Sequence, residues 1–231
     1  MTTTRMKLED NPLNETNYGD HICYIGFCGP TGVGKDASAA LCKQIIMEYC
    51  PDLNVAILSL ADPIRAAVEA MYGLPRNTLA DSRETKESEA PCAGGKTYRN
   101  LLQTLGTEWG RQLVSDTFWI DLLQYRAAEV HFADVVLVPD VRFYNEYELL
   151  IKKNNGYLIE IVGEGIEHGG DTAHVSEQGL TELSQVSVAH IMNHKDGYEA
   201  HKNRLLPVIE AIVEDNCTKR RYNHAGDYAL D

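Results

Sequence analysis

The stretch GPTGVGKD, residues 29–36, sets glycines at 29, 32 and 34 directly before Lys35. Glycine tolerates positive φ, so such a run can turn several backbone N–H groups onto one anion. A helix beginning there adds the positive end of its dipole. A lysine in that place can reach the terminal phosphates of a nucleotide. The spacing matches G-x-x-x-x-G-K-[ST] except at the last position, where Asp36 stands instead of a hydroxyl residue. Its carboxylate can hold Mg²⁺ directly or through water, or it can simply favour the start of the helix.

A second acid ends an apolar run. VVLVPD closes on Asp140, the pattern of a magnesium-linked carboxylate, although an Asp at a strand end also serves as an ordinary turn residue. Arginine forks stabilise the charge spread over a phosphoryl group in transfer. Arg65, Arg83, Arg99, Arg111 and Arg142 all lie near glycine-rich or strand-end segments. Arg99 and Arg142 are the best placed. Arg83 reads as a solvated surface residue and Arg111 as a salt-bridge partner on its own helix.

YRNLLQTLGTEWGRQLVSD (98–116) has an apolar stripe of Leu102, Leu105, Trp109 and Leu113. Another face carries Arg99, Gln103, Gly106, Thr107, Gly110 and Arg111. Two glycines inside a helix cost about 1 kcal/mol each relative to alanine, and here they leave room above the backbone beside two arginines. Trp119 can stack on a base or belong to the core.

These residues need a scaffold. ICYIGF (22–27) is an apolar run rich in β-formers ahead of the glycine loop, and a helical pattern follows over 37–49. VAILSL (55–60), DVVLVPDVRF (134–143), GYLIEIVG (156–163) and VAHIMN (188–193) read as further strands. Helices are expected at 61–73, 98–116, 117–130, 145–154 and 198–215. The alternation predicts an α/β fold, a parallel sheet with helices on both faces. Residues 1–20 read as a flexible lead-in, 21–215 as a single domain and 216–231 as a polar tail. Within the domain, 74–97 is charged and lacks apolar periodicity, so it reads as a long mobile loop. Residues 163–180, with His174 and Ser176-Glu177, are a lid candidate.

The 231 residues carry a net charge of −13. An acidic surface repels phosphate backbones, which argues against nucleic acid as a partner, while a small anionic substrate needs a local basic pocket. No run approaches the roughly 20 apolar residues of a membrane span, so no membrane is expected. Six cysteines without a C-x-x-C pair fit a reducing cytoplasm.

GPTGVGKD, LADPIRAAV, YRNLLQTLGTEWGRQL, VPDVRFYNE and DTAHVSEQGL together resemble the bacteriophage-type deoxynucleoside monophosphate kinase family. Asp after the loop lysine is usual in that family. The resemblance implies a P-loop kinase fold with a monophosphate-binding region, which takes in the 74–97 loop, and a lid. ATP and Mg²⁺ are its implied cofactors. ATP would sit on Gly29, Thr31, Gly32, Val33, Gly34, Lys35, Asp36 and Ala37. The deoxynucleotide would lie by Ile64, Arg65, Arg99, Gln103, Gly106, Thr107, Trp119, Arg142 and Glu146. Lys35, Arg142 and Asp140 would serve the chemistry, and Asp36 and Asp140 the metal. The implied reaction moves a phosphoryl group from ATP to a deoxynucleoside 5′-monophosphate, in the cytoplasm (the host's, if phage-encoded), with a homodimer as an option. A P-loop kinase of another small phosphorylated acceptor and a non-catalytic nucleotide-responsive binding protein are the alternatives.

Overall fold

The computed structural model describes residues 22–163 and 180–226, with the side chains of Val130 and of 216–226 left aside. Five parallel strands, β1 (Cys23–Cys28), β2 (Val55–Ile57), β3 (Val135–Val138), β4 (Tyr157–Gly163) and β5 (Ala189–Asn193), lie in the order β2-β3-β1-β4-β5. Every residue of β1 and β3 is buried. Central strands of a parallel sheet are covered on both faces, so they are apolar throughout instead of alternating.

The helices are α1 (Lys35–Tyr49), α2 (Asp62–Tyr72), α3 (Thr78–Asp81), α4 (Arg83–Glu87), α5 (Tyr98–Thr104), α6 (Phe118–Tyr125), α7 (Tyr144–Glu146), α8 (Leu180–Val186) and α9 (Tyr198–Gly226). Three of them continue as wide π-helical segments: α5 over Leu105–Val114, α6 over Arg126–Val130 and α7 over Tyr147–Lys152. Alternate side chains of β1 feed two cores. Tyr24 and Cys28 pack with α6, α7 and α8, while Ile25 and Phe27 pack with α1 and α9.

Three expectations change. The strands are shorter than the apolar runs, because VAILSL leaves the sheet after Ile57 and DVVLVPDVRF after Val138. Segment 74–97, read as a long loop, holds α3 and α4 and is closed by a bridge between Glu89 and Thr97. Leu79 and Ala90 bury there against Val68 and Tyr98 as a small third core. The buried Glu69 carboxylate fixes the turn by accepting from the Leu79 N–H at 2.8 Å and the Asn77 N–H at 3.1 Å. The polar tail from 216 is helical as far as Gly226, a continuation of α9. The lead-in, the lid candidate apart from Gly163 and Leu180, and residues 227–231 lie outside the described residues.

The fold sets where chemistry can occur. β1 lies between β3 and β4, so the chain turns from one half of the sheet to the other at this strand. In open parallel sheets the crevice outside the carboxyl ends of the strands at such a point is the ligand site. The glycine loop follows β1 and Asp140 follows β3, so both stand on that edge.

Candidate phosphoryl-transfer site

Gly29, Gly32 and Gly34 take φ of 128°, 79° and 100°. Two of the three sites also lack room for a side chain: a Cβ on Gly29 would lie 2.2 Å from the Ile161 carbonyl oxygen of β4, and one on Gly34 2.5 Å from Nδ2 of Asn193. The loop therefore rests directly on the neighbouring strand. Lys35 curls back over it, donating to the carbonyls of Gly29 at 2.7 Å and Pro30 at 2.8 Å.

Two braces hold the loop's far end. Asn193, at the end of β5, donates from Nδ2 to the Val33 carbonyl at 2.9 Å. Ser38 donates to the Gly34 carbonyl at 2.9 Å, and its Oγ lies 2.8 Å from Nε2 of the buried His201 in α9. Burial lowers the pKa of that imidazole and so favours the neutral ring. Val33 is buried beneath the loop, whereas Thr31, Gly32, Asp36 and Ala37 are exposed.

Beside the loop lies a cavity. Its walls include all nine of Ile64, Arg65, Arg99, Gln103, Gly106, Thr107, Trp119, Arg142 and Glu146, as well as Lys86, Arg111, Asp140 and Phe143. Residues scattered over 80 positions of sequence thus meet around one opening.

Most of these side chains are held in place. Asp140 accepts from the Ser59 hydroxyl at 2.6 Å, the Leu60 N–H at 2.9 Å and the Ala61 N–H at 3.0 Å. Its carboxylate thereby fixes the entry to α2. Arg65 donates to Asp62 at 2.6 Å and to the Ser59 hydroxyl at 3.0 Å. Arg99 binds Glu87 through Nε at 2.6 Å, tying α5 to α4, and this bond holds the Glu87 carboxyl below its usual range.

Glu146 is buried and fully engaged. It accepts from the Arg142 N–H at 2.6 Å, from the Phe143 N–H at 3.0 Å and from the Arg111 guanidinium. Burial pushes its carboxyl up, against the pull of Arg111 and the two amides. Arg111 also stacks 4.1 Å over the Phe143 ring. The partner expected for Arg111 was one on its own helix surface, but the structure turns it across the cavity to α7, because a π-helical stretch carries about one extra residue per turn and rotates the face.

The glycine pair is not open. A Cβ on Gly110 would fall 2.3 Å from Nε1 of Trp119, so the indole fills that space. Trp119 is buried, donates to the Gly106 carbonyl at 2.7 Å and joins Phe118 and Trp109 in an aromatic cluster. Gly106 is tight as well, with Ile64 Cδ1 3.1 Å from a Cβ placed there.

Two cations face the cavity uncommitted. Among the described residues, neither the Arg142 guanidinium nor the Lys86 ammonium has a hydrogen-bond or ion-pair partner. Lys86 went unnoticed in the sequence because its segment has no periodicity that could aim it, and Asn193 because a lone Asn at a strand end carries no signal. Partial burial lowers the Lys86 pKa, as do Arg65, Arg99 and Arg142, while Asp36 of the glycine loop opposes the shift. Lys86 thus feels both the loop and the cavity.

The sign of that shift gives a test. A lysine whose folded pKa is depressed binds fewer protons folded than unfolded, so stability rises as pH climbs through its titration. Lys86→Met is expected to raise the melting temperature of the ligand-free protein near neutral pH and to weaken binding of a phosphorylated ligand. A thermal scan with and without ligand checks both, and a lower melting temperature would contradict the repulsion.

Residues 93–199 match the family model of the deoxynucleotide monophosphate kinases. Over that stretch the chain is similar to the deoxynucleotide monophosphate kinases. A protein of Acanthamoeba polyphaga mimivirus that carries the provisional name deoxynucleotide monophosphate kinase is 28% identical over 184 residues, 73% of this chain and 88% of its own length. The deoxynucleoside-5′-monophosphate kinase of Escherichia phage T5 is 37% identical over 86 residues, 36% of this chain and 34% of that protein. The segment shared with the kinase family model holds Arg99, Arg111, Trp119, Asp140, Arg142 and Glu146. The glycine loop and Lys86 fall outside it, so their place in the site rests on geometry. Among the described residues no helix is long and apolar enough to cross a membrane.

Proposed function

We propose that the chain transfers the γ-phosphoryl group of ATP to a deoxynucleoside 5′-monophosphate, giving the diphosphate. One observation carries the reading: a glycine phosphate loop and a cavity bearing Arg65, Lys86, Arg99, Arg111 and Arg142 open on the same edge of the sheet. A protein of net charge −13 that gathers five cations around one cavity is built to receive an anion. The kinase relatives give that anion its name.

The loop amides and Lys35 hold the ATP phosphates over Gly29–Ala37. For this Lys35 exchanges its two carbonyl partners for phosphate oxygens, a stronger charge-assisted pairing. Arg142 and Lys86, uncommitted in the fold, take the acceptor phosphate, with Arg65 and Arg99 alongside. Trp119, Ile64, Gln103 and Thr107 line the wall beside the sugar and base. An acceptor phosphate oxygen is already an anionic nucleophile. It forms the new P–O bond as the bond from the γ-phosphorus to the β,γ-bridging oxygen breaks, and no general base is required. The wall's role is positioning and charge stabilisation.

Magnesium, when bound, neutralises charge across the donor phosphates. Asp36 fits such an ion: its carboxylate is exposed at the start of α1, beside the loop. Asp140 fits less well as a direct ligand, since its two oxygens already accept three hydrogen bonds, and its part is to seat Ser59, Leu60 and Ala61 at the cavity mouth.

A coupled assay with ATP, Mg²⁺ and each deoxynucleoside and ribonucleoside monophosphate tests the proposal. Diphosphate formed from at least one deoxynucleotide supports it, and no product from any overturns it. Arg142→Met is expected to raise the acceptor KM about 10–100-fold, the loss of one charge-assisted contact, with a melting temperature no lower than the wild type's, because no protein partner is orphaned and repulsion with Lys86 is relieved.

A further inference from the structure

A second cavity lies on the other side of α2, about 300 Å³ in volume. Three arginines line it: Arg65, Arg76 and Arg126. Two carboxylates, Asp62 and Glu69, share the wall. Both are spoken for. Glu69 is turned onto the Asn77 and Leu79 N–H groups, and Asp62 accepts from Arg65 at 2.6 Å and from the Ser59 N–H at 3.0 Å. Arg126 reaches Asp62 only through Nη2, at 3.6 Å. Its Nη1 is buried and has no hydrogen-bond partner. Among the described residues the Arg76 side chain has no partner either.

The Arg126 fork is thus held by one long contact and the Arg76 fork by none among the described residues, so both can turn to an incoming anion. A guanidinium presents a fork of donors matched to phosphate oxygens. With three positive groups against two occupied carboxylates, the wall is short of acceptors and of negative charge. We propose that this second cavity is a binding site for a free phosphate anion, held by Arg76 and Arg126.

The site is linked to the first cavity through Arg65, which lines both. An anion seated between Arg76 and Arg126 draws the Arg65 fork towards it and away from the acceptor. This consequence, unlike the binding itself, rests on the kinase reading: inorganic phosphate raises the acceptor KM by more than competition at the acceptor cavity alone.

The test is thermal unfolding of the intact chain against inorganic phosphate, with chloride at matched ionic strength as reference. Phosphate can also enter the first cavity, so Arg142→Met is the background. In that variant phosphate is expected to keep raising the melting temperature. Adding Arg76→Gln is expected to shift the half-effect concentration about tenfold upward, the loss of one charge-assisted contact. Arg126→Lys, which retains a charge for Asp62, is the second variant should the first fold poorly, and the same shift is expected of it. A phosphate response equal in all three proteins, or none in the Arg142→Met background, overturns the site. These outcomes do not depend on turnover, so a failed kinase assay leaves them readable.

Discussion

Lys35→Ala is expected to lower kcat by at least about 10²–10³-fold, the cost of removing one preorganised donor at developing charge, while the protein still folds. In the ligand-free structure the ammonium group donates to the carbonyls of Gly29 and Pro30. Gly29 and Pro30 are buried, so its removal leaves two acceptors short of a donor, a cost of about 1–3 kcal/mol that leaves the sheet and its cores untouched. A large catalytic loss is expected because, in the mechanism proposed above, the same group holds the donor phosphates. Steady-state kinetics with a far-ultraviolet circular dichroism spectrum separates the two effects. Turnover within a factor of about three of the wild type, with RT ln 3 well under the value of one charged hydrogen bond, would sink the mechanism proposed for the glycine loop.

The second large effect is on the wall of the acceptor cavity. Gly110→Ala places a methyl group 2.3–2.6 Å from three atoms of the Trp119 indole. The ring is not free to turn away, since the indole is buried, hydrogen-bonded to the Gly106 carbonyl and packed edge-to-face with Phe118. Overpacking of this kind costs about 1–3 kcal/mol. Trp119 also lines the acceptor cavity, so a displaced ring alters that wall. Gly110→Ala is therefore expected to lower both the melting temperature and the acceptor affinity, with the near-ultraviolet tryptophan signal altered. Gly73→Ala serves as a control, for nothing lies within 4 Å of a Cβ at Gly73. That substitution meets only the strain of a left-handed φ of 63° and is expected to leave the acceptor site intact. Equal loss of acceptor affinity in both variants would show that Trp119 is not what Gly110 protects.

The sequence by itself determined the scaffold and most of the lining of the candidate site. A strand, three glycines, a lysine and a helix can be read locally, because glycine tolerance of positive φ and helix-end charge act over a few residues. Continuous apolar runs such as CYIGFC and VVLV announce buried parallel strands for the same local reason. The nine cavity residues were legible because helical spacing puts Arg99, Gln103, Gly106 and Thr107 on one side, and because the family resemblance supplied Ile64, Arg65, Trp119, Arg142 and Glu146.

Only the tertiary structure decided what each side chain is free to do. Asp140 and Glu146 looked alike as acids near a site, yet Asp140 is spent on a hydroxyl and two amides and Glu146 on Arg111 and two amides. Partners that lie 35 and 81 positions apart leave no mark in local pattern. The π-helical continuation of α5 turned Arg111 across to α7 and filled the space at Gly110 with Trp119, because hydrogen-bond register within a helix is set by what packs against it. Lys86 enters the site only because a segment without periodicity folds over a four-residue core of its own and is tied by Glu87 to Arg99. Local chemistry named the parts, and long-range packing chose which charges remain uncommitted to the fold.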